Sequence, residues 1–504
     1  MTGPGLLVLP VLIPAIVAPL TLLFYRRRHR LSMAISVAGA AAMLAAAVAL
    51  LVQAQDDAIR SYAMGGWIAP FGIVLVGDRL AAIMLVCAAL LACIVLAHAL
   101  LTKLDRKGWH FHPLFHFQLM GLNGAFLTGD LFNLFVFFEV LLIASYGLML
   151  HGQGPARLKA GVAYVVVNIV GSSLFLIALA MLYTLTGTLN MADMAVRAAQ
   201  VPAADGGLLR AAGLMLVTVF LLKAAVVPLH LWLPRTYIAT APAVAALFAI
   251  MTKVGVYALI RVVPLVFGAE AGAAAWVPAP WLTPAAILTA AIGFVGVLAA
   301  KSIREQAAFA VVGSTGTLLL AVGAWQREAM AAALFYMVHA IFAGAALFLV
   351  ADVLRRRRGE YADLAVPSPR FMGQEAVAAL FMLTAIAAVG LPPLSGFVGK
   401  LFILQTTGEA ARGVIWTVIL ITTFIGVVGF ARTGSLVFWK PAPTDAPFHP
   451  LERDHGGLIA PAATIVVLAA LTLAAGWGTR QTEAAAAQIF APDRYVAAVL
   501  GGDR

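Results

Sequence analysis

Charged residues are scarce in this sequence. Only 11% of its 504 residues are Asp, Glu, Lys or Arg, whereas 63% are apolar and the mean hydropathy is +0.99. A soluble domain carries about 25% charged residues, and no polar stretch here is long enough to hold a soluble catalytic domain. The scarcity of charge excludes a disordered chain, a disulfide-rich secreted scaffold and a nucleic-acid-binding domain. It leaves a polytopic membrane protein.

Cysteine and cofactor-binding motifs are nearly absent as well. The two cysteines, Cys87 and Cys93, lie in one apolar run, and we interpret them as small core side chains. The sequence has no phosphate-binding glycine loop, no dinucleotide fingerprint and no cysteine pattern for haem or iron–sulfur clusters. We therefore predict no cofactor, so the energy for any transport must come from an ion gradient or from partner subunits.

Long apolar runs recur along nearly the whole chain. Windows of about 19 residues predict fourteen membrane spans. Their limits are 5–24, 32–52, 78–100, 112–130, 131–150, 160–185, 208–229, 241–265, 282–300, 305–324, 329–352, 374–407, 412–438 and 459–477. The segment 61–76 is short and rich in glycine, and we expect it to form a hairpin or a re-entrant surface piece.

The distribution of basic residues predicts the orientation of these spans. Most of the 33 Lys and Arg residues fall in alternate loops, which we assign to the cytoplasm. The first basic cluster, Arg26 to Arg30, follows the first apolar run, as expected for an uncleaved helix rather than a signal peptide. Because the number of spans is even, both termini are predicted to lie outside. The cluster Arg355 to Arg358 is expected to anchor the eleventh span to anionic lipid headgroups.

Four ionisable residues interrupt the predicted spans: Glu139, Lys223, Lys253 and Lys400. A charged side chain at the centre of a membrane helix costs at least about 2.5–3.5 kcal/mol on insertion scales. One acid cannot neutralise three bases in pairs. We therefore interpret these residues as parts of an ion path rather than as structural ion pairs.

Two of these lysines lie close to prolines within spans. Lys223 precedes Pro228 by five residues, and Lys400 follows Pro392-Pro393 by seven. Proline removes a backbone donor and opens the helix, and open backbone at membrane depth is tolerated mainly against protein or a water-filled cavity. A helix break beside a charge therefore indicates an ion path. The two breaks are five spans apart, and this odd offset predicts two inverted repeats.

Further polar side chains are spaced along the same spans. They are Tyr164, Asn168 and Ser172 in the sixth span, His230 beside the first break, Tyr257 in the eighth span, Ser314, Thr315 and Thr317 in the tenth, and His339 in the eleventh. For the hydroxyls and the amide, hydrogen bonding between helices is the more common role. His110, His112 and His116 form a separate cluster, which we interpret as a surface or subunit contact because no adjacent carboxylate or cysteine completes a metal site.

The chemistry that we infer from the buried charges is a proton relay. Forming or breaking a contact between Glu139 and Lys223 would change the proton affinity of the lysine and hand protons towards Lys253 and then Lys400. The sequence gives no distances, so this pairing is a hypothesis. The alternative is a non-conducting scaffold with structural charges, although helix breaks beside charges serve a scaffold poorly.

Three motifs resemble the antiporter-like subunits shared by respiratory complex I and the Mrp-type multisubunit cation/proton antiporters. They are LKAAVVPLHLWLP at 222–234, TKVGVY at 252–257 and GLPPLSGFVGK at 390–400. The resemblance covers roughly residues 60–440, and the combined motifs are highly specific. The segments 65–76 and 185–193, together with the chain length, are most similar to the D-type subunits of the Mrp antiporters.

The resemblance implies an all-α membrane protein of fourteen helices with helices seven and twelve broken. Three N-terminal helices and a surface hairpin (1–111) would precede two inverted five-helix repeats (112–267 and 268–440), and a C-terminal helix and tail (441–504) would follow. The implied proton path consists of Glu139, Lys223, Lys253 and Lys400, with His339 at the position of the family's histidine on helix eleven.

Two positions depart from many members of that family. No lysine closely follows His339, and Arg235 stands where a histidine is common. If those missing groups belong to the relay in other members, the central path here must rely on water, His339 or hydroxyl groups instead.

The function implied by the resemblance is exchange of protons for Na⁺ or K⁺ in a bacterial inner membrane. It implies partner subunits of the A, B, C, E, F and G types, contact with membrane lipid, no nucleic acid and no cofactor, and a secondary transporter rather than an enzyme. The alternative within transport is a proton-pumping subunit of a redox-driven complex, such as complex I or a membrane hydrogenase.

Overall fold

Helices account for nearly all of the chain that the structure describes. The computed structural model describes residues 4–25, 28–440 and 456–501. Its elements in chain order are α1 (Leu9–Tyr25), α2 (His29–Gln53), β1 (Arg60–Ala63), β2 (Val74–Gly77), α3 (Arg79–Leu101), α4 (Phe111–Leu127), α5 (Leu131–Leu150), α6 (Pro155–Thr186), α7 (Met191–Ala198), α8 (Gly206–Lys223), α9 (Trp232–Ala239), α10 (Pro242–Phe248), α11 (Met251–Val266), α12 (Ala279–Ala299), α13 (Ile303–Val322), α14 (Arg327–Arg357), α15 (Gln374–Val389), α16 (Ser395–Gln405), α17 (Glu409–Gly434), α18 (Ile459–Leu473), α19 (Ala475–Ile489) and α20 (Pro492–Leu500). The predicted basic-loop residues Arg26 and Arg27, and the loop residues 441–455, lie outside the described part of the chain.

Twelve helical stretches in the described ranges are long and apolar enough to cross a membrane. They coincide with twelve of the fourteen spans predicted from the sequence. The fourth predicted span is the 17-residue α4, and the twelfth is divided between α15 and α16. The all-helical membrane fold is therefore confirmed, whereas the count of fourteen stays a prediction.

The middle of the bundle is formed by α14 and by the consecutive helices α10 and α11. Nearly every side chain of these three helices is buried, as expected for helices that are apolar all round. By contrast, α1, α6, α17 and α18 expose apolar side chains such as Leu23, Val162, Phe424 and Val466. These outer faces are suited to contact with lipid or with other subunits.

Glycines bring two pairs of helices into close contact. A Cβ atom on Gly121 of α4 would lie 2.5 Å from the backbone nitrogen of Leu141 in α5. A Cβ atom on Gly316 of α13 would lie 2.2 Å from the backbone nitrogen of Ala290 in α12. Neither position has room for a side chain, so glycine allows the helix backbones to approach each other. The α4–α5 and α12–α13 pairs are each the first two helices of a predicted repeat.

One end of the bundle carries a β-hairpin, and we call it the hairpin end. β1 and β2 pair antiparallel, with Arg60 opposite Gly77, so the segment 61–76 is a hairpin and not a re-entrant piece. The C-terminal helices pack beside it: the Ser61 hydroxyl donates to the carbonyl of Ala498 in α20 at 2.8 Å. The sequence analysis expects only a tail after the last span, and α19 and α20 are therefore additional elements.

The opposite end, which we call the basic end, carries the arginines at the end of α14. Arg358 is 5% exposed and donates to three carbonyl oxygens between residues 362 and 366. Arg356 pairs with Asp352 at 2.8 Å. The expectation of lipid anchoring is wrong for Arg358, because this side chain holds the loop that follows α14.

The first broken helix is interrupted directly after Lys223. α8 ends at this residue instead of continuing to residue 229, as the predicted span does. The chain then passes through Ala225, whose φ of 56° lies in the left-handed region, and reaches Pro228 before α9 begins. The break therefore places the lysine at the end of a helix inside the bundle.

The second broken helix is interrupted between α15 and α16. The predicted span 374–407 is two short helices separated by residues 390–394. Gly390 has a φ of 72° at the end of α15, a conformation that favours glycine, and Pro392 and Pro393 follow. Lys400 consequently lies inside the second half of this broken helix, on α16.

Candidate functional site: a buried polar axis

The polar axis begins at Glu139 on α5. This side chain is half-buried and faces α6, where the hydroxyl of Ser172 donates a hydrogen bond to the carboxylate. Its neighbours Phe138 and Leu142 are buried. The carboxylate therefore has one polar partner in mainly apolar surroundings, and that partner belongs to the polar stripe predicted on the sixth span.

Lys223 also contacts α6, one helical turn away from Ser172. Its Nζ donates to Oδ1 of Asn168 at 3.1 Å, and the residue is 8% exposed. Asn168 donates from Nδ2 to the carbonyl of Tyr164 at 2.8 Å, and the Tyr164 hydroxyl bonds to Ser145 of α5 at 2.8 Å. The predicted stripe thus lies on one face of α6, towards α5 and α8.

Glu139 and Lys223 bind different residues of α6 rather than each other. Ser172 holds the carboxylate and Asn168 holds the ammonium group. These two residues are four positions apart, so they lie one above the other on the helix. The hypothesised direct contact is absent from this conformation, in which two neutral side chains hold the charges separately.

A small cavity extends the axis beyond Lys223. Its volume is about 20 Å³, and its lining includes Lys223, Asn168 and Trp232 together with Met251 and Val254 of α11. A cavity of this size holds about one water molecule. Because Met251 and Val254 flank the next lysine in sequence, the cavity lies between the two lysine-bearing segments.

Lys253 lies in the centre of the bundle and is fully buried. Its Nζ donates to the hydroxyl oxygens of Ser314 at 3.1 Å and Thr315 at 3.3 Å, both on α13. Each hydroxyl donates its own proton to the carbonyl of Val311, so its oxygen remains free to accept from the lysine. The predicted hydroxyl pair is thus the direct environment of this lysine.

His339 on α14 is the next titratable group. A cavity of about 10 Å³, lined by Ser314, Tyr336 and His339, separates it from the surroundings of Lys253. Its Nε2 lies 3.1 Å from the carbonyl oxygen of Ala387, and its Nδ1 lies 3.0 Å from Oγ of Ser395. A carbonyl only accepts, so Nε2 carries a proton, and a neutral imidazole accepts the serine hydroxyl at Nδ1.

Lys400 completes the axis. Its Nζ donates to the carbonyl of Val389 at 2.8 Å and to the hydroxyl of Thr423 in α17 at 2.6 Å, and lies 5.2 Å from the ring centre of Phe294. In an unbroken helix the Val389 carbonyl would accept from residue 393, but Pro393 has no N–H. The helix break therefore supplies a ligand to the lysine, and the aromatic face adds a cation–π attraction.

The three lysines of the axis share one electrostatic feature, which is that their hydrogen-bond partners are neutral. The partners are an amide, hydroxyl groups and a backbone carbonyl. Removing a charge from a fixed ion pair leaves its partner buried and uncompensated, at a cost of several kcal/mol. Neutral ligands impose no such cost, so each lysine can exist with or without its proton.

Two predicted supporting residues lie apart from these hydrogen bonds. His230 is 7% exposed next to Pro228, and its Nδ1 has no hydrogen-bond partner among the described residues. Tyr257, one turn from Lys253 on α11, donates to the carbonyl of Phe126 at 2.5 Å. Lys253 and Tyr257 lie one turn apart on the same helix, as the spacing predicts. The Tyr257 hydroxyl, however, bonds to α4 and not to the partners of Lys253.

A buried ion pair at the hairpin end is not predicted from the sequence. Arg261 of α11 donates two hydrogen bonds, of 2.5 and 2.8 Å, to Asp78 before α3, and the residues are 7% and 2% exposed. The ring centre of Tyr495 in α20 lies 5.5 Å from the guanidinium carbon. Both charges fall near the ends of predicted spans, where charges are common, so the pairing follows only from the fold.

The histidine cluster at the basic end contains a carboxylate that the sequence analysis does not place there. Oδ2 of Asp105 lies 3.2 Å from Nε2 of His29 and 3.6 Å from Nε2 of His112. Ser36 connects His112 to His116 at 3.0 and 2.9 Å. Within the described ranges no group of His, Cys, Asp or Glu is arranged to hold a metal ion. These contacts join α2 to α4 and to the turn before it.

The chain is similar in sequence to antiporter subunits along almost its full length. The D-type subunit of a probable K⁺/H⁺ antiporter from Rhizobium meliloti (strain 1021) is 38% identical over an alignment of 536 positions, which covers 99% of this chain and 98% of that protein. The D-type subunit of a Na⁺/H⁺ antiporter from Alkalihalophilus pseudofirmus is 35% identical over an alignment of 508 positions, which covers 98% of this chain and 99% of that protein.

Solved structures have the same fold. A chain of the Mrp complex from Dietzia sp. DQ12-45-1b superposes with a TM-score of 0.84 and 28% identity, covering 98% of this chain and 99% of that one. A chain of the membrane-bound sulfane sulfur reductase, an archaeal respiratory membrane complex, superposes with a TM-score of 0.88 at 22% identity, covering 99% and 100%. At that identity the likeness concerns the fold alone.

The residues of the axis lie within the part of the chain that matches the sequence model of a protein family. Residues 128–426 match the sequence model of the transmembrane NADH:quinone oxidoreductase/Mrp antiporter proteins. This range includes Glu139, His339 and all three lysines of the axis. On this match and on the near-complete coverage of its relatives, the chain belongs to the NADH:quinone oxidoreductase/Mrp antiporter family.

Proposed function

We propose that this chain is the D-type, proton-translocating subunit of a multisubunit antiporter that exchanges protons for Na⁺ or K⁺ across a bacterial membrane. The buried axis from Glu139 through Lys223, Lys253 and His339 to Lys400 is the observation that carries the proposal. The two relatives named for K⁺/H⁺ and Na⁺/H⁺ exchange support the activity, and their different names leave the cation open.

In this mechanism Glu139 controls the charge of Lys223. When the carboxylate leaves Ser172 and approaches the lysine, the ion pair holds a proton on the lysine. When the carboxylate returns to Ser172, Lys223 passes its proton through the water-sized cavity to Lys253. The neutral ligand Asn168 keeps Lys223 in place during both states.

The second part of the mechanism runs from Lys253 to Lys400. Ser314 and the cavity beside it connect Lys253 to His339. The neutral histidine takes up a proton at Nδ1 and, as the imidazolium, passes a proton on to Lys400. Lys400 then releases a proton to water beyond the axis, while the neutral carbonyl and hydroxyl hold the side chain in both protonation states.

We assign residues 112–267 and 268–440 to two inverted repeats, flanked by the segments 1–111 and 441–504, in a chain of fourteen helices. In each proposed repeat the fourth helix is the broken one, namely α8–α9 in the first and α15–α16 in the second. In each, the first two helices are in close contact through glycine. These parallels support the assignment.

We also assign the hairpin end to the outside, so that both termini lie outside. Leu7 near the N-terminus approaches Gly77 of β2, and α20 near the C-terminus approaches β1. Both described terminal segments therefore lie at one end, away from the arginines that end α14. The positive-inside rule then favours the basic end as the cytoplasmic one.

The assembly that we propose contains other subunits, of the A, B, C, E, F and G types. The similarity to a chain of the Mrp complex supports an assembled state. A chain of an archaeal respiratory membrane complex, the sulfane sulfur reductase, has the same fold, so a subunit of a redox-driven complex is the alternative. The higher sequence identity to antiporter subunits favours the antiporter.

The test uses everted membrane vesicles that contain this chain with its native neighbouring subunits. The vesicles are energised to build a pH gradient, which is reported by quenching of an amine dye, and Na⁺, K⁺ and choline are added in turn. We expect Na⁺ or K⁺, but not choline, to restore the fluorescence. Lys223→Ala should abolish this recovery in a complex that remains assembled on blue-native gels.

The matched control is Lys159→Ala, which removes the same group from an exposed position in the first turn of α6. It should leave the recovery unchanged. If Lys223→Ala removes assembly and transport together, the scaffold alternative is favoured. If an intact complex gives no cation-dependent recovery but builds a gradient with NADH or another reductant, the chain belongs to a redox-driven pump.

A further inference from the structure

A cavity of about 440 Å³ opens at the hairpin end, between α14, α16 and α19. Its rim carries the exposed charged residues Arg327, Glu328 and Glu483. The rest of its lining consists of the apolar residues Ala331, Ala332 and Phe402 and the polar residues Gln405, Thr406, Thr479 and Thr482. The volume is large enough for several water molecules, so we call this cavity the vestibule.

A seam between α14 and α16 continues from the vestibule. The rings of Phe335 and Phe402 meet edge to face, with their centroids 5.4 Å apart. Phe335 is fully buried. The two rings therefore form an apolar plug directly beneath the vestibule.

Beyond this plug the seam leads to His339. A Cβ atom on Gly399 would lie 3.0 Å from the ring of Tyr336, and one on Gly396 would lie 2.7 Å from Nε2 of His339. The absence of side chains at these glycines brings the backbone of α16 against the tyrosine and the histidine. Ser395, at the end of the seam, hydrogen-bonds to the same histidine.

Two cavities lie along this stretch of α14. The vestibule is lined by Ala331, and the cavity of about 10 Å³ is lined by Tyr336 and His339. On α14, Ala331, Phe335 and His339 follow at intervals of four residues, so they line one face over about 12 Å at 1.5 Å per residue. Phe335, which meets Phe402, therefore lies between the vestibule and His339 on this face.

We propose that the α14–α16 seam is a branch of the ion path that leads from His339 to the hairpin end, with the contact between Phe335 and Phe402 as its gate. The inference rests on the proposed function and deepens it by naming where the path opens. A hydrophobic constriction blocks ions by excluding water, and it opens when small side-chain movements let water enter. Phe402 is partly exposed to the vestibule and can rotate into it, whereas Phe335 is held in the core.

The charges at the rim suit this role. Two carboxylates and one guanidinium group give the mouth a net negative charge, which raises the local concentration of cations. Between the plug and His339, the seam contains Gly399, Gly396, Tyr336 and Ser395. The vestibule thus serves the second half of the axis, and not the Glu139 end.

The experiment measures how fast a membrane-impermeant, positively charged methanethiosulfonate reagent modifies single cysteines in the assembled complex. Cys87 and Cys93 are first replaced by alanine. Ala331→Cys reports on the vestibule, and Ser395→Cys, a near-isosteric change, reports on the seam below the gate. With reagent on the outside, we expect Ala331→Cys to react at least about tenfold faster than Ser395→Cys, since the plug restricts access.

Opening the gate should abolish this difference. Adding Phe402→Ala to the Ser395→Cys chain should raise the modification rate of the cysteine at least about tenfold. Phe397→Ala, which removes the same ring from the exposed side of α16, is the control and should leave the rate unchanged. Phe402→Leu keeps apolar bulk without the ring, and it replaces Phe402→Ala if that complex does not assemble on blue-native gels. A rise in rate with either variant supports the gate.

The proposal is overturned if Ser395→Cys already reacts as fast as Ala331→Cys, if neither Phe402 variant raises its rate, or if both cysteines react only from the cytoplasmic side. Modification does not require transport. If the gate proposal fails, the labelling rates do not show the expected differences, although the complex that keeps Ser395 still exchanges cations for protons. If the proposed function fails, there is no exchange, whatever the labelling shows.

Discussion

Each of the two broken helices holds a buried lysine, but the hydrogen-bond partners of the two lysines differ. Each places a lysine beside an interruption in the bundle, but Lys223 is the last residue of α8, whereas Lys400 lies in the second turn of α16. The C-terminus of a helix carries partial negative charge and favours an ammonium group, and the N-terminus carries partial positive charge and does not. Lys223 therefore lies at the favourable end of its half-helix, and Lys400 lies near the unfavourable one.

The local partners offset this difference. Lys400 receives a backbone carbonyl freed by Pro393, a hydroxyl and an aromatic face. Lys223 has one amide, Asn168 of α6, and the carboxylate of Glu139 is held by Ser172 one turn away on the same helix. In the proposed mechanism the first break changes the charge of its lysine by moving an acid. The second holds its lysine by neutral dipoles. From this difference we expect the first half to switch and the second half to conduct.

The largest expected effect is that of removing the second lysine. Lys400→Met keeps the length and apolar character of the side chain but removes its proton site, so cation-dependent dequenching should fall about 100-fold, the usual range for a lost acid–base group. Lys159→Met serves as the surface control. A Lys400→Met complex that assembles and retains most of its exchange rate would show that the second half is not on the path.

The second prediction tests whether Glu139 controls the charge of Lys223 in the first half of the axis. Glu139→Gln can keep a hydrogen bond with Ser172 but cannot form an ion pair with Lys223, so the exchange rate should fall about tenfold and lose part of its pH dependence. The rate is measured across a pH series, and Glu139→Asp should restore part of it. An unchanged pH profile would mean that the first lysine works without the acid, as the second does.

The backbone ligand of Lys400 can be tested by restoring an N–H group. In Pro393→Ala the amide of residue 393 can donate to the Val389 carbonyl and compete with the lysine. The exchange rate should fall by up to about tenfold, corresponding to one hydrogen bond of about 0.5–1.5 kcal/mol. Pro392→Ala is the matched control, since its N–H would reach the carbonyl of Ala388, which does not bind the lysine. Equal effects of the two variants would point to general disruption of the break.

The smallest expected effect is that of the hydroxyl partner. Thr423→Val removes one acceptor from Lys400 but leaves the carbonyl and the ring of Phe294, so a loss of about two- to threefold is expected, at the low end for one hydrogen bond. Thr422→Val is the control, because Thr422 bonds within its own helix. A loss as large as that of Lys400→Met would make Thr423 a necessary relay group rather than one of several ligands.

Several features of the site can be predicted from the sequence because they contrast with their surroundings. A lysine or glutamate within an apolar run is conspicuous, and so is a proline pair beside it, which is why the sequence predicts the four charged residues and both breaks. The hydroxyls Ser314 and Thr315 are predictable as polar residues of one span. Their role as ligands of Lys253 needs the fold, because it depends on which helix face crosses α11.

Other features cannot be predicted because they depend on contacts between distant segments. Thr423 and Ser395 look like ordinary hydroxyl residues of membrane helices, and only the crossing of α16 with α17 and α14 makes them ligands. Asp78 and Arg261 lie 183 positions apart. The hypothesised contact of Glu139 with Lys223 illustrates the same limit, since charge alone does not reveal that α6 holds the two groups separately.

The size of the two small cavities has a consequence for what can travel along the axis. The volumes of about 20 and 10 Å³ measure the space that is open to the centre of a water-sized sphere. About 10–15 Å³ of such space holds one water molecule, so each cavity accepts about one. A sodium or potassium ion moves only with its hydration shell or with a ring of oxygen atoms that replaces it. A proton needs neither, since it passes from one hydrogen-bonded group to the next. In this conformation the proposed axis has room for a proton relay but not for a hydrated metal ion, so in the proposed exchange cycle we expect the metal ion to take a different route.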